Sequence, residues 1–293
     1  MKITALLIIS MTYMMLGTAV SAASGNKVNN QPPASVVELT ILSQQQRMPG
    51  LAYLARGHGP HPTAVLLHGY PGNEKNLDVA QDLRRQGWNT VFFHYRGAWG
   101  AEGEFSFLNA EQDVQAVIQY LQAQENARKL RVDPAQISLI GHSMGGHMAL
   151  AGLLDNPSVR CAVSYDGANL GAGNKGFLSS PESASLWMDY SDTLFMLSGW
   201  SGAKMQQEVL QHAAHLNLVN RASQAKGRPI MMIVADTDVI PIDEHITPLR
   251  NALNNDGATN VSYHLLSDDH SFSNTRPRLS DLTYEFIDGN CRD

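Results

Sequence analysis

Short apolar runs alternate along the chain with longer segments in which apolar residues recur at helical spacing. The runs at 36–42, 51–55, 63–67, 89–95, 136–140, 159–165, 229–235 and 261–266 predict strands. Pro49-Gly50 and Asp133-Pro134 predict turns between elements. The segments at 74–86, 110–122, 144–154, 243–254 and 278–287 predict helices. Because strand and helix alternate, the pattern predicts an α/β fold: a mostly parallel central sheet with helices on both faces.

The alternation stops between residues 167 and 228, where no core strand is evident. This stretch is too long for a simple connection, and its helical pieces carry large apolar side chains such as Trp187, Met188, Phe195 and Trp200. We interpret it as a helical cap, inserted between two strands of the sheet. Over the carboxyl end of the sheet, such a cap would form one wall of a pocket.

The amino terminus has the pattern of an export signal. Lys2 is followed by an uncharged run at 3–16 and then by small residues, with cleavage expected after Ala22. The alternative is an uncleaved membrane anchor, but the run is shorter than the roughly 20 residues that span a bilayer. We therefore expect a signal peptide at 1–22, a flexible lead-in at 23–35, a folded domain at 36–293, and a periplasmic or secreted protein.

Composition and charge limit the classes of molecule that this protein is expected to bind. The 293 residues are 43% hydrophobic and 16% charged, with a net charge of −6 and no basic stripe, so nucleic-acid binding is not expected. No segment after the signal could span a membrane. The two cysteines, Cys161 and Cys291, are too few for a disulfide framework. After export they form either one bridge or two independent thiols.

The pentapeptide at 141–145, Gly-His-Ser-Met-Gly, lies between a predicted strand and a predicted helix. This is the context of a nucleophile elbow, in which a strained turn exposes the serine hydroxyl and small neighbours let strand and helix approach. Ser143 is therefore the candidate nucleophile. The alternative is a glycine-rich helix start without catalysis.

A serine nucleophile needs a general base that a third group orients, in the chain order serine, acid, histidine. His270 follows the last predicted strand and is the candidate base. Asp166, Asp236 and Asp238 all follow strands. We favour Asp238 as the acid, because Asp236 directly continues the apolar run whereas Asp238 lies further into the loop.

The loop His68-Gly69-Tyr70-Pro71-Gly72 follows a buried strand and precedes a helix. In this context such a loop supplies one main-chain amide of an oxyanion hole, and the residue after the nucleophile supplies the other. Tyr70 and Met144 are the predicted donors; the alternative for the loop is an ordinary strand-to-helix turn. No paired metal ligands, phosphate loop or dinucleotide motif occur, so neither a cofactor nor a metal is expected.

Together with Tyr95-Arg96-Gly97 and His270-Ser271-Phe272, these motifs resemble those of the α/β-hydrolase superfamily from about residue 36 onward. Within it, the chain is most similar to bacterial proteins related to the prolyl-oligopeptidase catalytic domain and to the serine aminopeptidases. The resemblance implies a serine hydrolase that acts on a small-molecule ester or a short peptide. No acidic cluster is present to capture a free amino terminus, so we favour a carboxylesterase for uncharged acyl esters. The alternatives are a peptidase or aminopeptidase, an acyltransferase, and a non-catalytic binding protein on the same fold.

Overall fold

The computed structural model describes residues 31–174, 180–237, 239–257 and 260–292. The predicted signal peptide at 1–22 and most of the lead-in lie outside the described residues, as does Asp238. Within the described residues, no helix is both long and apolar enough to cross a membrane.

Eight strands form one sheet in the order β1-β2-β4-β3-β5-β6-β7-β8. β2 pairs antiparallel with both β1 and β4, and every other neighbouring pair is parallel. The predicted α/β class with a mostly parallel sheet is confirmed. The strands are β1 (Ser35–Ser43), β2 (Gln46–Leu54), β3 (His61–Leu67), β4 (Asn89–Phe93), β5 (Val132–His142), β6 (Val159–Tyr165), β7 (Ile230–Ala235) and β8 (Ser262–Leu266).

Helices cover both faces of this sheet, and successive strand residues point into opposite apolar layers. Leu139 of β5 packs in one layer with Val114 and Met148, whereas Ile140 packs in the other with Leu83 and Leu279. The helices in the described residues are α1 (Leu77–Arg85), α2 (Phe107–Gln122), α3 (Gln124–Leu130), α4 (Met144–Asp155), α5 (Pro181–Asp192), α6 (Gly202–Gln211), α7 (Ala213–Leu216), α8 (Thr247–Asn255) and α9 (Arg276–Asn290).

Two predicted turns are wrong. The β1–β2 hairpin turns at Gln44 and Gln45, which both have positive φ (48° and 65°), and Pro49-Gly50 lies inside β2. The main chain of Gly50 passes so close to β4 that a Cβ would lie 2.6 Å from the Phe92 carbonyl oxygen, so this glycine serves strand packing. Asp133-Pro134 likewise lies within β5, where the pairing with β3 shifts register.

The segment between β6 and β7 contains α5, α6, α7 and short 3₁₀ helices at Leu170–Asn174 and Leu218–Ala225. It is joined to the loop after β4 by main-chain hydrogen bonds. The amides of Trp99 and Phe105 donate to the carbonyls of Met196 and Ser198 at 2.9 Å, and the Ser198 amide donates to Gly97 at 2.7 Å. These bonds place the cap over the carboxyl ends of β3, β4 and β5, where Ser143 lies.

Cys161 and Cys291, for which the sequence left two arrangements open, form a disulfide with Cα atoms 5.7 Å apart. Both residues are fully buried. The bond links the middle of β6 to the end of α9.

Candidate active site

Ser143 lies at the junction of β5 and α4 with φ 58° and ψ −122°, a strained conformation for a residue with a side chain. Its amide donates to the Tyr165 carbonyl of β6 at 2.8 Å. Strand and helix touch here: a Cβ on Gly141 would lie 1.8 Å from the Gly145 carbonyl oxygen, and one on Gly145 would lie 2.0 Å from the Leu67 carbonyl oxygen. This is the strand-turn-helix geometry of a nucleophile elbow.

The predicted oxyanion loop passes directly against the nucleophile. A Cβ on Gly69 would lie 2.9 Å from the Ser143 Cβ, so only glycine allows this approach. Tyr70 is the residue after Gly69 in this loop, and Met144, the residue after Ser143, is the first residue of α4. All three residues, Ser143, Tyr70 and Met144, line one cavity.

Buried side chains fix the course of this loop. His68 donates from Nδ1 to the Gly69 carbonyl at 2.9 Å, and burial lowers the pKa of His68 to about 3, so the ring is neutral near pH 7. The Trp99 indole donates to the Pro71 carbonyl at 2.7 Å, and the Tyr95 hydroxyl donates to the His68 carbonyl at 3.4 Å. The loop is therefore held from several sides before a substrate binds.

His270 lies beside the elbow. Its ring centroid is 4.6 Å from that of His142, and Nε2 of His142 donates to the His270 carbonyl at 2.6 Å. His142, a residue of the elbow pentapeptide, therefore anchors the main chain of the candidate base across 128 residues of sequence.

Asp268 organises the loop that carries His270. Its carboxylate accepts hydrogen bonds from the main-chain amides of Asp269, Asn274 and Thr275 and from the Thr275 hydroxyl at 2.6 Å. Burial alone raises the pKa of this carboxyl, but the hydrogen bonds hold it well below its usual range. The sequence shows only that Asp268 precedes the histidine, not that the following residues fold back onto it.

The candidate acids are placed differently. Asp166 follows β6 and is fully buried; its Oδ1 accepts from the Ala235 amide at 2.7 Å, and its Oδ2 is 3.9 Å from His270 Nδ1. Asp236 is exposed. Asp238 lies outside the described residues, so its assignment as the acid stays a prediction, and Asp166 is the described candidate that lies next to the base.

The cavity above Ser143 has a volume of about 280 Å³ and mostly apolar walls. The cap contributes Ala168, Leu170, Ser183, Trp187, Met205 and Val209. The body of the fold contributes further lining residues: Phe107, Val239, Ile240, Pro241, Glu244 and His245. Within the part of the chain that the structure describes, no group of three or more His, Cys, Asp or Glu side chains is arranged to hold a metal.

Sheet order, elbow and cap together define the fold: the chain has the α/β-hydrolase fold. The family model described as BD-FAE matches residues 53–168, which run from the end of β2 past the elbow. No curated protein sequence matches the chain.

Solved structures share the fold at low sequence identity. 2,6-Dihydroxy-pseudo-oxynicotine hydrolase is 21% identical with a TM-score of 0.63, over 89% of this chain and 70% of that one. Acylaminoacyl peptidase from Pyrococcus horikoshii is 19% identical with a TM-score of 0.67, over 89% of this chain but only 42% of the peptidase. Est1E from Butyrivibrio proteoclasticus, solved with ferulic acid bound, is 15% identical with a TM-score of 0.65, over 86% and 98% of the two chains.

Proposed function

We propose that this α/β-hydrolase is an exported carboxylesterase that works through an acyl-enzyme on Ser143. His270 is the general base, Asp238 orients it, and the main-chain amides of Tyr70 and Met144 bind the oxyanion. The observation that carries the proposal is the position of Ser143: a strained elbow that opens into an apolar cavity, beside the His270 loop and against the oxyanion loop.

Each group has a defined step in the proposed reaction. His270 accepts the Ser143 proton as the hydroxyl oxygen attacks the ester carbonyl carbon, and the negative charge that develops on the carbonyl oxygen is bound by the two amides. The tetrahedral intermediate collapses when His270 returns the proton to the leaving alkoxide. Water, deprotonated by the same histidine, then releases the carboxylic acid. Removal of one oxyanion donor in such a site typically lowers the rate by about 10²–10³-fold.

The cavity favours an uncharged acyl group. Its walls are mainly Phe, Trp, Met, Leu and Val side chains, with no Lys or Arg among the described lining residues, so binding a negatively charged acyl chain would cost desolvation without an ion pair in return. The cavity is large enough for a short or aromatic acyl group. A ferulate ester belongs in the substrate panel because Est1E, a protein of the same fold, was solved with ferulic acid.

One observation favours a second function, cleavage of short peptides. Glu244 lines the cavity and is exposed, so its carboxylate could bind the amino group of an aminoacyl substrate. An acylaminoacyl peptidase is also among the proteins that share the fold.

A kinetic panel separates the two functions. We expect kcat/KM for short p-nitrophenyl esters and methyl ferulate to exceed that for alanyl- and prolyl-p-nitroanilide by at least about 10³-fold. Glu244→Gln should leave ester hydrolysis unchanged. Efficient anilide cleavage with weak ester cleavage, together with a raised KM for anilides in Glu244→Gln, would establish a peptidase instead.

Export is supported by the charged and apolar amino-terminal pattern and by the buried disulfide, which persists in oxidising compartments. The test is expression of the full chain in a bacterium, followed by fractionation and amino-terminal sequencing. We expect a mature protein that begins at Ala23, outside the cytoplasm. A chain that keeps Met1 in the cytoplasmic fraction would contradict export.

A further inference from the structure

The side chain of Tyr70 is held by the cap, although its main chain belongs to the oxyanion loop. The Tyr70 hydroxyl donates to Ser191 Oγ at 2.8 Å and accepts from the Trp200 indole Nε1 at 2.7 Å. Ser191 in turn donates to the Trp187 carbonyl at 2.7 Å. One continuous row of hydrogen bonds therefore runs from Trp200 through Tyr70 and Ser191 to Trp187, which itself lines the cavity.

Each hydrogen-bond donor in this row has one acceptor within it. The phenol has one O–H, and it is directed at Ser191 rather than at the position above Ser143. Burial raises the pKa of Tyr70 to about 12, so the phenol keeps that proton at any ordinary pH. Tyr70 therefore has only its main-chain N–H left for an oxyanion.

Aromatic rings from the cap and from the body of the fold also pack against Tyr70 and Trp200. The Tyr70 ring lies 5.6 Å from Phe107 of α2 and 6.2 Å from Tyr190 of α5, measured between ring centroids. The Trp200 ring contacts Phe107 at 5.3 Å. Ser191 is 2% exposed, so water does not compete for the hydrogen bond at this point.

We propose that Ser191 and Trp200 are positioning residues for the oxyanion hole. Their hydrogen bonds to the Tyr70 phenol fix the position of the Tyr70 main-chain amide. The position of the cap on the fold thereby affects catalysis. This inference rests on the proposed serine hydrolase function. A small displacement of a donor amide lowers its stabilisation of the transition state far more than its contribution to ground-state binding. Loss of the tether should therefore lower kcat rather than raise KM.

The test uses three substitutions that delete single polar atoms or groups: Tyr70→Phe, Ser191→Ala and Trp200→Phe. For the best p-nitrophenyl ester we expect kcat to fall by about 10- to 100-fold, with KM within about threefold of wild type. The Tyr70→Phe/Ser191→Ala double variant should lose no more than the worse single variant, because both remove the same bond. The matched control is Tyr190→Phe, which removes a hydroxyl from the neighbouring cap residue, and it should keep wild-type kcat.

Inhibitor binding separates positioning from general loosening of the cap. Phenylboronic acid forms a tetrahedral adduct on serine, so its Ki should rise by the same factor by which kcat/KM falls. The Ki of the carboxylic acid product should change by less than about twofold.

Wild-type kcat in folded Tyr70→Phe and Ser191→Ala, or a loss confined to KM, would overturn the inference. So would equal losses in phenylboronic acid and product binding. Failure of the serine mechanism itself looks different, because the wild-type protein would then neither hydrolyse esters nor be labelled at Ser143 by a fluorophosphonate. If Trp200→Phe does not fold, Tyr70→Phe and Ser191→Ala carry the test, since each deletes a single oxygen atom.

Discussion

At the scale of single residues, the identity of the acid is the sharpest open prediction. We expect Asp238→Asn to lower kcat by about 10³–10⁴-fold, because an amide cannot hold His270 in the required tautomer or stabilise its charged form. Asp166→Asn should lower kcat by only about tenfold. Its amide oxygen can still accept from Ala235, so the fold is kept while a negative charge 3.9 Å from His270 Nδ1 is lost.

Asp236→Asn is the control for these two variants, because Asp236 is exposed, and its kcat should stay within about twofold of wild type. The three variants are compared by steady-state ester hydrolysis after circular dichroism has verified folding. A larger loss in Asp166→Asn than in Asp238→Asn would make Asp166 the acid.

The same residues mark what a sequence can predict about the site. The elbow is a local motif in a local context, so Ser143 could be located from five letters and its flanking pattern. The acid could not, because Asp166, Asp236 and Asp238 all follow strands and only tertiary placement separates them. His142 shows the same limit: its hydrogen bond to the His270 carbonyl joins residues 128 positions apart, and nothing local signals it.

At the scale of elements, an ionic cluster around the buried Glu111 joins α2, α4 and α7 to the 3₁₀ helix at Leu218–Ala225. Glu111 of α2 contacts His147 Nε2 at 3.2 Å, His215 Nε2 at 2.6 Å and Arg221 Nη1 at 3.6 Å. Arg221 also pairs with Asp155 at the end of α4. The cluster therefore ties the cap to the body of the fold at a second place, in addition to the hydrogen bonds of Tyr70.

We predict that Glu111→Gln lowers the free energy of unfolding at pH 7 by about 2–4 kcal/mol, because it leaves buried cationic and imidazole groups without their carboxylate. Burial alone raises the pKa of Glu111, but hydrogen bonds and charge from His147 and His215 lower it to about 2. A carboxyl with a lowered folded-state pKa stabilises the fold above its unfolded pKa of about 4.3 and loses that contribution as the pH falls toward 2.

The difference in the free energy of unfolding between wild type and Glu111→Gln should therefore shrink as the pH falls from about 5 to about 2. Urea denaturation at pH 7, 5 and 3.5 measures this difference. Glu125→Gln, a substitution at an exposed residue of α3, is the matched control and should shift the midpoint little at any pH. A difference that does not depend on pH would contradict this account of Glu111.

Element positions were predicted best where the hydrophobic pattern is uninterrupted. The central strands β3 to β7 are apolar on both faces and were located within a few residues, apart from the early start of β5. The hairpin turn was missed because Gln44-Gln45 is not a typical pair for two positive φ values, and Pro49-Gly50 is a typical turn pair that here lies in a strand.

At the scale of the whole molecule, the disulfide closes a loop with a sequence separation of 130 residues. In the chain-entropy model such a cross-link stabilises the fold by about 4–5 kcal/mol. We expect reductant to lower the urea midpoint of the wild type but not that of the Cys161→Ala/Cys291→Ala double variant. Ester hydrolysis by the folded double variant should stay within about twofold of wild type, since Cys161 lies four residues before the carboxyl end of β6.

Thiol counting on the denatured, unreduced protein provides the check on the bond itself. No free thiol is expected before reduction and two after it. Two free thiols before reduction would contradict the bridge.

The architecture of the whole molecule followed from the alternation of strands and helices, and the cap from its interruption. The contacts that join the cap to the sheet could not be predicted from this pattern. They are main-chain hydrogen bonds, such as that from Trp99 to Met196, and the side-chain contacts of Tyr70 and Glu111. Main-chain hydrogen bonds and long-range polar pairs leave no periodic trace in a sequence.

The central claim is that Ser143 is the nucleophile of a serine hydrolase, and labelling with a fluorophosphonate followed by peptide mass spectrometry tests it most directly. The account predicts one adduct per chain on the peptide that contains Ser143, loss of ester hydrolysis in proportion to labelling, and neither labelling nor hydrolysis in a folded Ser143→Ala variant. Unchanged hydrolysis by Ser143→Ala, or an adduct on another residue that accounts for the loss of activity, would contradict it.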